Sequence, residues 1–504
     1  MAGRVNQPMW NQLFQLSFHS KISLQARIRE MLVGAILDGH LPGGAALPST
    51  RTLAAELGVA RNTVALAYEL LVDEGYLRTR SRSGHFVNPE MAVHRRTAPR
   101  PAGARRADAV AWPSRLTGSV SMQRNIVKPA DWQRYPYPFI YGQVDPALVP
   151  IAGWRECSLQ AMSASEIRAW AGDRIDGDDP LLIEQIQTRL LTRRGVFVAP
   201  DEILITVGAQ HALFLLATLL VSADTRVGVE DPGYPDARNI FGSRTAHVLA
   251  LPLDAAGLAL SPALDACDYV YVTPSHQCPT NITMPLARRE ALLDWAEAHD
   301  RVLIEDDYEV ELGLEGRAQP ALKSLDRGGR VIYVSSLSKT LAPGIRIGFI
   351  VASAALVREA RALRRLMLRH PAANNERSTG LFLAMGYHDA LLRRLRQAYA
   401  ERAQVMAHAL RRYLPGVTFA TVPGASSYWL RFDPAVDTRA LAQAAARRGV
   451  LIEPGEVFFA DAIQPPCQHA RLGFASIATE RIEPGVAELA AAHAELPVST
   501  TTGR

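Results

Sequence analysis

The chain contains two regions in which hydrophobic residues are spaced differently. Over about residues 20–88, apolar residues recur every three or four positions in three short runs, a spacing typical of amphipathic helices. From Trp132 onward, helix-like runs alternate with short runs rich in Val and Ile, which is typical of buried strands. The pattern therefore predicts a small helical region followed by a larger region of mixed α and β structure.

The first region predicts three helices and a hairpin. We expect helices over residues 23–38, from Ser49 or Thr50 to Gly58, and from Arg61 to Gly75. The first helix is predicted to be amphipathic, with apolar residues on one face: Leu24, Ile28, Met31, Leu32, Ala35 and Ile36. Residues 76–87 indicate two short strands around a basic turn. Two helices joined by a short turn at Gly58 have the spacing of a helix-turn-helix unit.

The second region predicts a mostly parallel sheet covered by helices. Strands are expected at 203–206, 226–230, 269–273, 302–305, 331–334 and 347–351, and helices at 181–192, 210–221 and 288–299. Helical patterns at 389–412 and 438–448 flank strand-like runs within 417–432 and indicate a smaller C-terminal domain. Because ligands of parallel sheets bind at the carboxyl ends of the strands, polar residues after these strands are candidate site residues.

The residues that follow the predicted strands are unusually polar. Lys339 lies among small hydroxyl residues between two apolar runs, in VIYVSSLSKTLAPGIRIGFI. An unpaired buried ammonium is costly, so a structural role for this lysine is hard to justify. The chain has only four lysines (Lys21, Lys128, Lys323 and Lys339), and only Lys339 has these surroundings. Lys339 is therefore the candidate reactive amine.

Positive charge is concentrated near the N-terminus. Residues 1–128 contain 17 Lys and Arg against 8 Asp and Glu, a net of +9, whereas the whole chain carries +5. A polyanion is therefore expected to bind the N-terminal region.

The composition also predicts domain boundaries. An N-terminal domain is expected over residues 1–90, with its core at about 20–88, and a larger domain over 129–496, followed by a tail at 497–504. Residues 91–128 contain eight basic residues, one acidic residue and several Pro and Ala, which favours an extended linker. The alternative is that its arginines add sequence-independent phosphate contacts.

The cysteines and the apolar runs bear on metal sites, disulfides and membrane association. The four cysteines are scattered without a C-x-x-C pair, so neither a metal site nor a disulfide framework is predicted. The N-terminus lacks a signal-peptide pattern, and the longest apolar stretch is too short to span a bilayer. We therefore expect a cytoplasmic protein without a membrane partner.

The segment LPSTRTLAAELGVARNTVALAYELLVDEGYLRTRSRSGHFV resembles the GntR-type winged helix-turn-helix. The resemblance implies that Arg61, Asn62 and Thr63 reach the major groove of double-stranded DNA. It implies further DNA-binding positions at the second helix and the wing: Arg51, Arg80, Arg82 and Gly84. Ala60 stands where such helices usually have a serine cap, which forfeits about 1 kcal/mol.

Three later motifs, EDPGYPDAR, TPSHQCPT and SLSKTLAPGIRIG, resemble those of fold-type-I aminotransferases, over about residues 130–490. Joined to the winged helix, they resemble the MocR family of bacterial transcriptional regulators. The implied fold is an N-terminal winged helix-turn-helix plus a PLP-dependent aminotransferase-like domain, with a large α/β domain and a smaller C-terminal α+β domain.

The resemblance implies pyridoxal 5′-phosphate (PLP) as cofactor, bound to Lys339 as a Schiff base. Asp306 would pair with the pyridine nitrogen, Tyr308 with the 3′-oxygen, and Tyr234 would stack on the ring. The implied phosphate ligands are Ala209, Gln210, Ser336 and Arg346. Arg471 matches the arginine that binds a substrate carboxylate, here the carboxylate of an effector.

Several residues depart from the aminotransferase pattern. Cys278 replaces an asparagine that contacts the 3′-oxygen, and Leu182-Ile183 replaces a Leu-Arg pair. Residues 173–179 are unusually acidic and are one candidate partner for a second amine on the effector. These changes leave cofactor binding in place, whereas effector choice and transaminase competence stay open.

The leading hypothesis is a PLP-dependent DNA-binding regulator and not an enzyme. It would sense a small amine or amino acid that displaces Lys339 from the cofactor and forms an external aldimine. Residual or half transamination is compatible with this hypothesis. A homodimer bound to promoter half-sites follows from the resemblance. Two alternatives remain open: an active aminotransferase with an accessory DNA-binding domain, and a GntR-type regulator whose cofactor pocket no longer works.

Overall fold

The computed structural model describes residues 22–80, 83–91, 111–309 and 319–496. It divides into two compact units, Met1–Gly118 and Ser119–Arg504. The second unit thus begins before residue 129, the boundary that composition predicted. Part of the predicted linker (residues 92–110) and the predicted tail (497–504) lie outside the described residues.

The first unit contains the predicted helices and hairpin. Its elements are α1 (Leu24–Leu37), α2 (Thr50–Leu57), α3 (Arg61–Asp73), β1 (Leu77–Arg80) and β2 (Gly84–Val87). The two strands pair antiparallel. This is the helix-turn-helix with a wing that the sequence predicts.

Local capping sets the helix ends. Ser49, one of the two predicted caps, accepts a hydrogen bond from the Thr52 backbone N–H at 3.1 Å and so begins α2. Gly58 ends α2 in a left-handed conformation with φ of 65°, which glycine adopts without strain. Ala60 precedes α3 without any side-chain cap, as predicted.

The core of the first unit lies between Ile28 and Val87. The predicted face of α1 is buried except for Leu24, which is 45% exposed. Leu24 is the first residue of α1 and lies at the N-terminal end of this face. Tyr68 is fully buried and donates a hydrogen bond to the Pro48 carbonyl at 3.0 Å, which ties α3 to the turn before α2.

The second unit is built on an eight-stranded sheet in the order β4-β11-β10-β9-β8-β5-β6-β7. The strands are β4 (Ile203–Thr206), β5 (Val227–Asp231), β6 (Val248–Asp254), β7 (Gly257–Leu258), β8 (Tyr269–Val272), β9 (Val302–Asp306), β10 (Val331–Ser336) and β11 (Gly348–Val351). The pairings from β10 through β6 are parallel, whereas β11 is antiparallel to both its neighbours and β7 is antiparallel to β6. The sheet is therefore mostly parallel, as predicted.

Helices bury both faces of this sheet. The helices of this part of the chain are α4 (Ile151–Ala161), α5 (Ala164–Trp170), α6 (Pro180–Gln185), α7 (Ala209–Leu220), α8 (Pro235–Gly242), α9 (Leu286–Ala298), α10 (Leu322–Leu325), α11 (Ala354–Leu368) and α12 (Ala373–Ala384). Ile203 and Ile205 of β4 pack into one buried cluster, and Leu204 between them packs into another. Burial on both faces explains why the strands are almost continuously apolar.

The C-terminal part is smaller and has its own core. It contains α13 (Tyr387–Tyr413), β12 (Ser427–Arg431), α14 (Thr438–Arg447), β13 (Val450–Leu451), β14 (Glu453–Pro454), β15 (His469–Gly473) and α15 (Thr479–Ala494). Strands β12, β15 and β14 form a three-stranded sheet, and β13 pairs with β3 (Tyr137–Pro138). This is the predicted small domain.

Two elements differ from the sequence prediction. The helix expected over residues 181–192 is α6 followed by a π-helical segment at Ile186–Leu191. The strand-like runs within 417–432 reduce to β12, since the preceding residues form turns and one isolated bridge from Thr418 to Arg431.

Among the described residues, no helix is both long and apolar enough to cross a membrane. The same residues contain no group of three or more His, Cys, Asp or Glu side chains arranged to hold a metal ion. All four cysteines are free thiols.

Candidate cofactor site and DNA-binding surface

Lys339 lies just after β10, in the connection that returns to β11. Its Nζ is 4.1 Å from the centroid of the Tyr141 ring. Gly142, with φ of 73°, leaves room for this amine, because a Cβ there would lie 2.6 Å from Nζ. Burial lowers the pKa of Lys339 to about 8, although nearby Glu309 acts in the opposite direction. A substantial fraction is therefore neutral near pH 8, and the neutral amine is the nucleophile.

Asp306 is the last residue of β9 and is buried. Its Oδ2 accepts a hydrogen bond from the Tyr271 hydroxyl at 2.7 Å. Its Oδ1 is buried and has no hydrogen-bond partner among the described residues. Burial raises the pKa of Asp306 to about 7. The carboxylate thus has one oxygen available for a donor that the chain does not supply.

The sequence reasoning missed Tyr271. It is the third residue of β8, next to β9 in the sheet. Its apolar neighbours in YVYV made it resemble a packing residue, and only strand order brings its hydroxyl to Asp306.

The start of α7 leaves backbone N–H groups at the sheet edge. Gly208, with φ of 79°, precedes Ala209, and the first turn has no acidic side chain and no side-chain cap. Gly208 packs against the Arg346 guanidinium, because a Cβ there would lie 2.7 Å from its Nη2. A helix N-terminus beside an arginine is the arrangement that binds phosphate groups.

Arg346 and Ser336 reach the same place from neighbouring strands. Arg346 donates from Nη2 to the Val207 carbonyl at 2.8 Å and has φ of 54°, a left-handed conformation that is strained for a non-glycine residue. Ser336 pairs with Gly348 across β10 and β11. Gly348 lies against Gly208, since a Cβ there would be 2.7 Å from the Gly208 carbonyl carbon. The predicted phosphate residues Ala209, Ser336 and Arg346 therefore converge.

Gln210 and Tyr234 share one partner that the sequence reasoning missed, Asp236. Its Oδ2 accepts hydrogen bonds from Gln210 Nε2 at 2.6 Å and from the Tyr234 hydroxyl at 2.9 Å. The Gln210 side chain is therefore engaged by Asp236, and its backbone N–H is the group that faces outward from the helix start. Burial raises the pKa of Tyr234, and the charges of Asp236 and Asp306 raise it further.

Tyr308 follows Asp306 by two residues and is near Cys278 and Arg471. Burial raises the pKa of its hydroxyl well above the ordinary value, and the neighbouring Cys278 acts in the same direction. The hydroxyl is therefore protonated at neutral pH and is able to donate a hydrogen bond.

Arg471, on β15, is almost completely buried. Its Nε donates to Glu453 Oε2 at 2.7 Å, and its guanidinium carbon lies 4.2 Å from the centroid of the Tyr141 ring. Glu453 also forms an ion pair with Lys128, in which Oε1 lies 3.5 Å from Lys128 Nζ. The sequence reasoning missed Glu453 and Tyr141, and it assigned Lys128 to the linker.

Cys278 is the residue that the resemblance sets against the aminotransferase asparagine. It is buried, with its Sγ 3.9 Å from Arg471 Nη1. Asn281, three residues later, does not replace the missing amide, because its Nδ2 donates to the Ser427 carbonyl at 2.8 Å.

The acidic segment at 173–179 has a structural explanation. Asp178 forms ion pairs with Arg361 at 2.7 Å and with Arg364 at 2.6 Å. Asp179 caps α6 by accepting from the Leu182 backbone N–H at 3.0 Å. These two carboxylates are therefore committed to arginines and a helix start, which argues against them as partners for an effector amine.

The predicted base-reading residues lie at the exposed start of α3. Arg61 and Asn62 are exposed, Thr63 is half-buried, and Arg61 Nε lies 3.5 Å from Thr50 Oγ1. Exposed Arg and Asn side chains at the second helix of such a unit are able to reach base edges.

The wing residues are exposed beside the hairpin turn. The Arg80 guanidinium lies 4.5 Å from the centroid of the Phe86 ring, and Gly84 has φ of 98°. Arg51 is exposed on α2. Arg82 lies outside the described residues.

These residues fit pyridoxal 5′-phosphate. The cofactor needs an amine for its aldehyde carbon, an anion for its pyridinium nitrogen and donors for its phosphate. Lys339, the unpartnered Oδ1 of Asp306, and the α7 start beside Arg346 supply these three groups. The orphaned carboxylate oxygen is the most telling feature, since a buried acceptor without a donor is costly.

Comparison with known proteins agrees with both units. Residues 24–87 match the family model for bacterial regulatory proteins of the gntR family, and residues 175–489 match that for aminotransferase class I and II. A solved structure of alpha-aminoadipate aminotransferase LysN from Thermus thermophilus superposes with a TM-score of 0.69 and 26% identity, covering 76% of this chain and 98% of that one.

Two relatives match along almost the full length. The HTH-type transcriptional regulator TauR of Rhodobacter capsulatus is 44% identical over 470 residues, which cover 93% of this chain and 96% of TauR. The probable rhizopine catabolism regulatory protein MocR of Rhizobium meliloti is 34% identical over 489 residues, which cover 95% of each chain. This chain therefore belongs to the MocR-type transcriptional regulators, in which a gntR-family DNA-binding domain precedes an aminotransferase class I and II domain.

Proposed function

We propose that this regulator carries pyridoxal 5′-phosphate on Lys339 and senses a small amine or amino acid that replaces Lys339 on the cofactor. The observation that carries the proposal is that a lysine of lowered pKa shares one site with a buried aspartate oxygen that has no hydrogen-bond partner in the described part of the chain. When bound, the cofactor supplies an electrophilic carbon that reacts reversibly with amines.

Each residue of the site has a role in this proposal. Asp306 Oδ1 would accept a hydrogen bond from the protonated pyridine nitrogen, and Tyr308 would donate one to the 3′-oxygen. The backbone at Ala209 and Gln210, together with Ser336 and Arg346, would hold the phosphate, and Tyr234 would lie against the ring. Arg471 binds an acidic group of the effector, exchanging part of its interaction with Glu453 for the new partner.

Release of the Lys339 amine is the event that carries the signal. The freed amine gains a proton or changes its contacts with Tyr141 and Glu309, so the two states differ in charge and packing near the amine. A ligand shifts a conformational equilibrium only through such differences. The change alters how two winged helices of a homodimer bind promoter half-sites.

A second candidate is an active aminotransferase, because the site retains the lysine, the aspartate and the arginine that transamination needs. The two functions share their first step, and turnover separates them. A regulator binds an amine without sustained release of a keto acid or aldehyde.

The experiment combines spectroscopy with DNA binding. Purified protein and Lys339→Ala are mixed with pyridoxal 5′-phosphate, and the visible absorbance of a protein-bound imine is expected only with Lys339. Amino acids and polyamines are then screened for a spectral shift, and each hit is tested for a change in promoter affinity. Steady product release with a physiological amine would favour the aminotransferase, and an identical spectrum for Lys339→Ala would refute the cofactor assignment.

A further inference from the structure

We propose that Lys128 forms, together with Arg471, a two-cation subsite for the acidic group of the effector. This inference rests on the proposed function and adds a specificity-determining residue to it. It commits the effector to one chemical class, an amine that also carries an anionic group such as a carboxylate.

Lys128 lies beside the reactive amine. A Cβ on Gly142 would be 2.6 Å from Lys339 Nζ and 3.7 Å from Lys128 Nζ, so the two amines share the space above one glycine. Lys128 Nζ also donates to the backbone carbonyl of Tyr141, whose ring contacts both Lys339 and Arg471. Lys128 therefore lies close to the reactive amine and to the residue whose ring contacts Arg471.

One carboxylate serves both cations. Glu453 pairs with Arg471 through Oε2 at 2.7 Å and with Lys128 through Oε1 at 3.5 Å. Its Oε1 also accepts from the Tyr141 backbone N–H at 3.2 Å. The three charged side chains carry a net charge of +1, and those of Arg471 and Glu453 are only 4% and 3% exposed. An anion bound between Lys128 and Arg471 would give these two cations a second negative partner beside Glu453.

Lys128 is the more available of the two cations. Its side chain is 25% exposed and its contact with Glu453 is long for a direct hydrogen bond, whereas Arg471 is enclosed by Tyr141 and Phe458. An ammonium with three donors is able to keep the Tyr141 carbonyl and still bind an incoming carboxylate. Lys128 therefore needs less rearrangement than Arg471 to accept the effector.

The test compares matched ligand pairs on the full-length protein loaded with pyridoxal 5′-phosphate. The probes are glycine, β-alanine and 4-aminobutyrate against methylamine, ethylamine and propylamine, which lack only the carboxylate. The variants are Lys128→Met, Lys128→Arg and the control Lys323→Met, in which a lysine paired with Asp326 on α10 is removed. Apparent dissociation constants are read from the spectral change of the bound cofactor.

In the wild type, at least one amino acid is expected to bind more tightly than its matched amine. Lys128→Met should weaken the binding of that amino acid by about tenfold to a hundredfold, the loss expected for one charged hydrogen bond, and should leave the affinity for the matched amine unchanged. Lys128→Arg should restore most of the affinity because it keeps the charge, and Lys323→Met should behave as the wild type. Propionate, which has the acid group but no amine, should compete with the amino acid in the wild type and much less in Lys128→Met.

The failures are distinguishable. Absence of any spectral response to amines in the wild type would overturn the proposed function and this inference with it. If the wild type responds to amines but Lys128→Met weakens the binding of amino acids and plain amines equally, or of neither, only the subsite would be overturned. Lys128 would then merely support Glu453. A wild type that does not prefer any amino acid over its matched amine would overturn the two-cation subsite as well.

Discussion

At the scale of single residues, burial shifts the pKa values of two groups that the cofactor would contact, Asp306 and Lys339. It raises the pKa of Asp306 to about 7 and lowers that of Lys339 to about 8. Both shifts disfavour the charged form, because charge is poorly solvated at the buried strand ends. Without a cofactor, each residue therefore opposes folding over part of the pH range.

Asp306→Asn tests this cost. The folded pKa of Asp306 lies above its ordinary value of 3.8, so the folded state binds the proton more tightly and stability falls as pH rises from about 4 to about 7. Cofactor-free Asp306→Asn should therefore gain stability relative to the wild type as pH rises from 5 to 8, by roughly 1–4 kcal/mol. Urea unfolding at both pH values measures it, and a constant difference would contradict the pKa shift.

The same variant should lose affinity for pyridoxal 5′-phosphate, because an amide does not stabilise a pyridinium proton as a carboxylate does. Equilibrium dialysis of the two proteins checks this opposite effect on cofactor binding. Gain in stability together with loss of cofactor is the signature of a residue retained for a ligand and not for the fold.

Gly142→Ala tests the space around the reactive amine. Its Cβ would lie 2.6 Å from Lys339 Nζ, so the amine must move and cofactor loading should fall by about tenfold or more. Gly386→Ala is the matched control: its φ of 76° imposes the same backbone strain, but its Cβ meets no atom within 4 Å. Absorbance of the bound cofactor measures loading, and equal losses in both variants would attribute the effect to strain alone.

At the scale of elements, α3 and the hairpin are expected to make different contacts with DNA. The start of α3 presents exposed Arg61 and Asn62, which are able to hydrogen-bond base edges, whereas Arg80 lies on the hairpin against Phe86. Phosphate contacts hold the protein on any sequence, and base contacts select one.

Arg61→Ala and Asn62→Ala should each cost about 1–3 kcal/mol on the preferred site and relax the preference for one base pair. Arg80→Ala should weaken binding by a similar factor on all sequences and reduce its salt dependence. Arg29→Ala, which removes a cation of α1 paired with Glu74, is the control and should leave binding unchanged. Competition binding to randomised sites measures both quantities, and unchanged base preference in the α3 variants would mean that another element reads the sequence.

At the scale of the whole molecule, the chain contains two separately packed units. The buried residues of the first core lie between Ile28 and Val87, and the buried residues of the other clusters begin at Phe139. The two cores therefore share no buried residue among those the structure describes. The second unit begins at Ser119, and its early residue Lys128 lies within that unit beside Glu453 and the candidate effector site.

A fragment of residues 1–118 should therefore fold alone and unfold in one cooperative transition. Circular dichroism during heating and urea titration should give coincident curves, because one core supports all three helices. Non-coincident curves, or a fragment without helix signal, would show that the first unit depends on the second. The fragment should also bind DNA more weakly than the full chain if dimerisation resides in the second unit.

Much of this architecture is determined locally. Apolar spacing predicted the three helices of the first unit, five of those in the second unit and six strands of the large sheet, because a helix or strand needs only a matching period and a cap within a few residues. The surroundings of Lys339 in the sequence were sufficient to single it out as a candidate amine, whereas Asp306 and Arg346 were assigned through the family resemblance. Parallel strands bring their carboxyl ends to one edge, which is where all three residues lie in the chain order.

Only the tertiary structure decided the partners of those residues. The antiparallel β11, the hydroxyl of Tyr271 on Asp306 and the joint pairing of Glu453 with Arg471 and Lys128 depend on which elements pack side by side. Lys128 and Glu453 are separated by more than three hundred residues, and in sequence Lys128 sits in a run that resembles a linker. Local periodicity has no information about such contacts, because they form only when side-chain packing closes the fold.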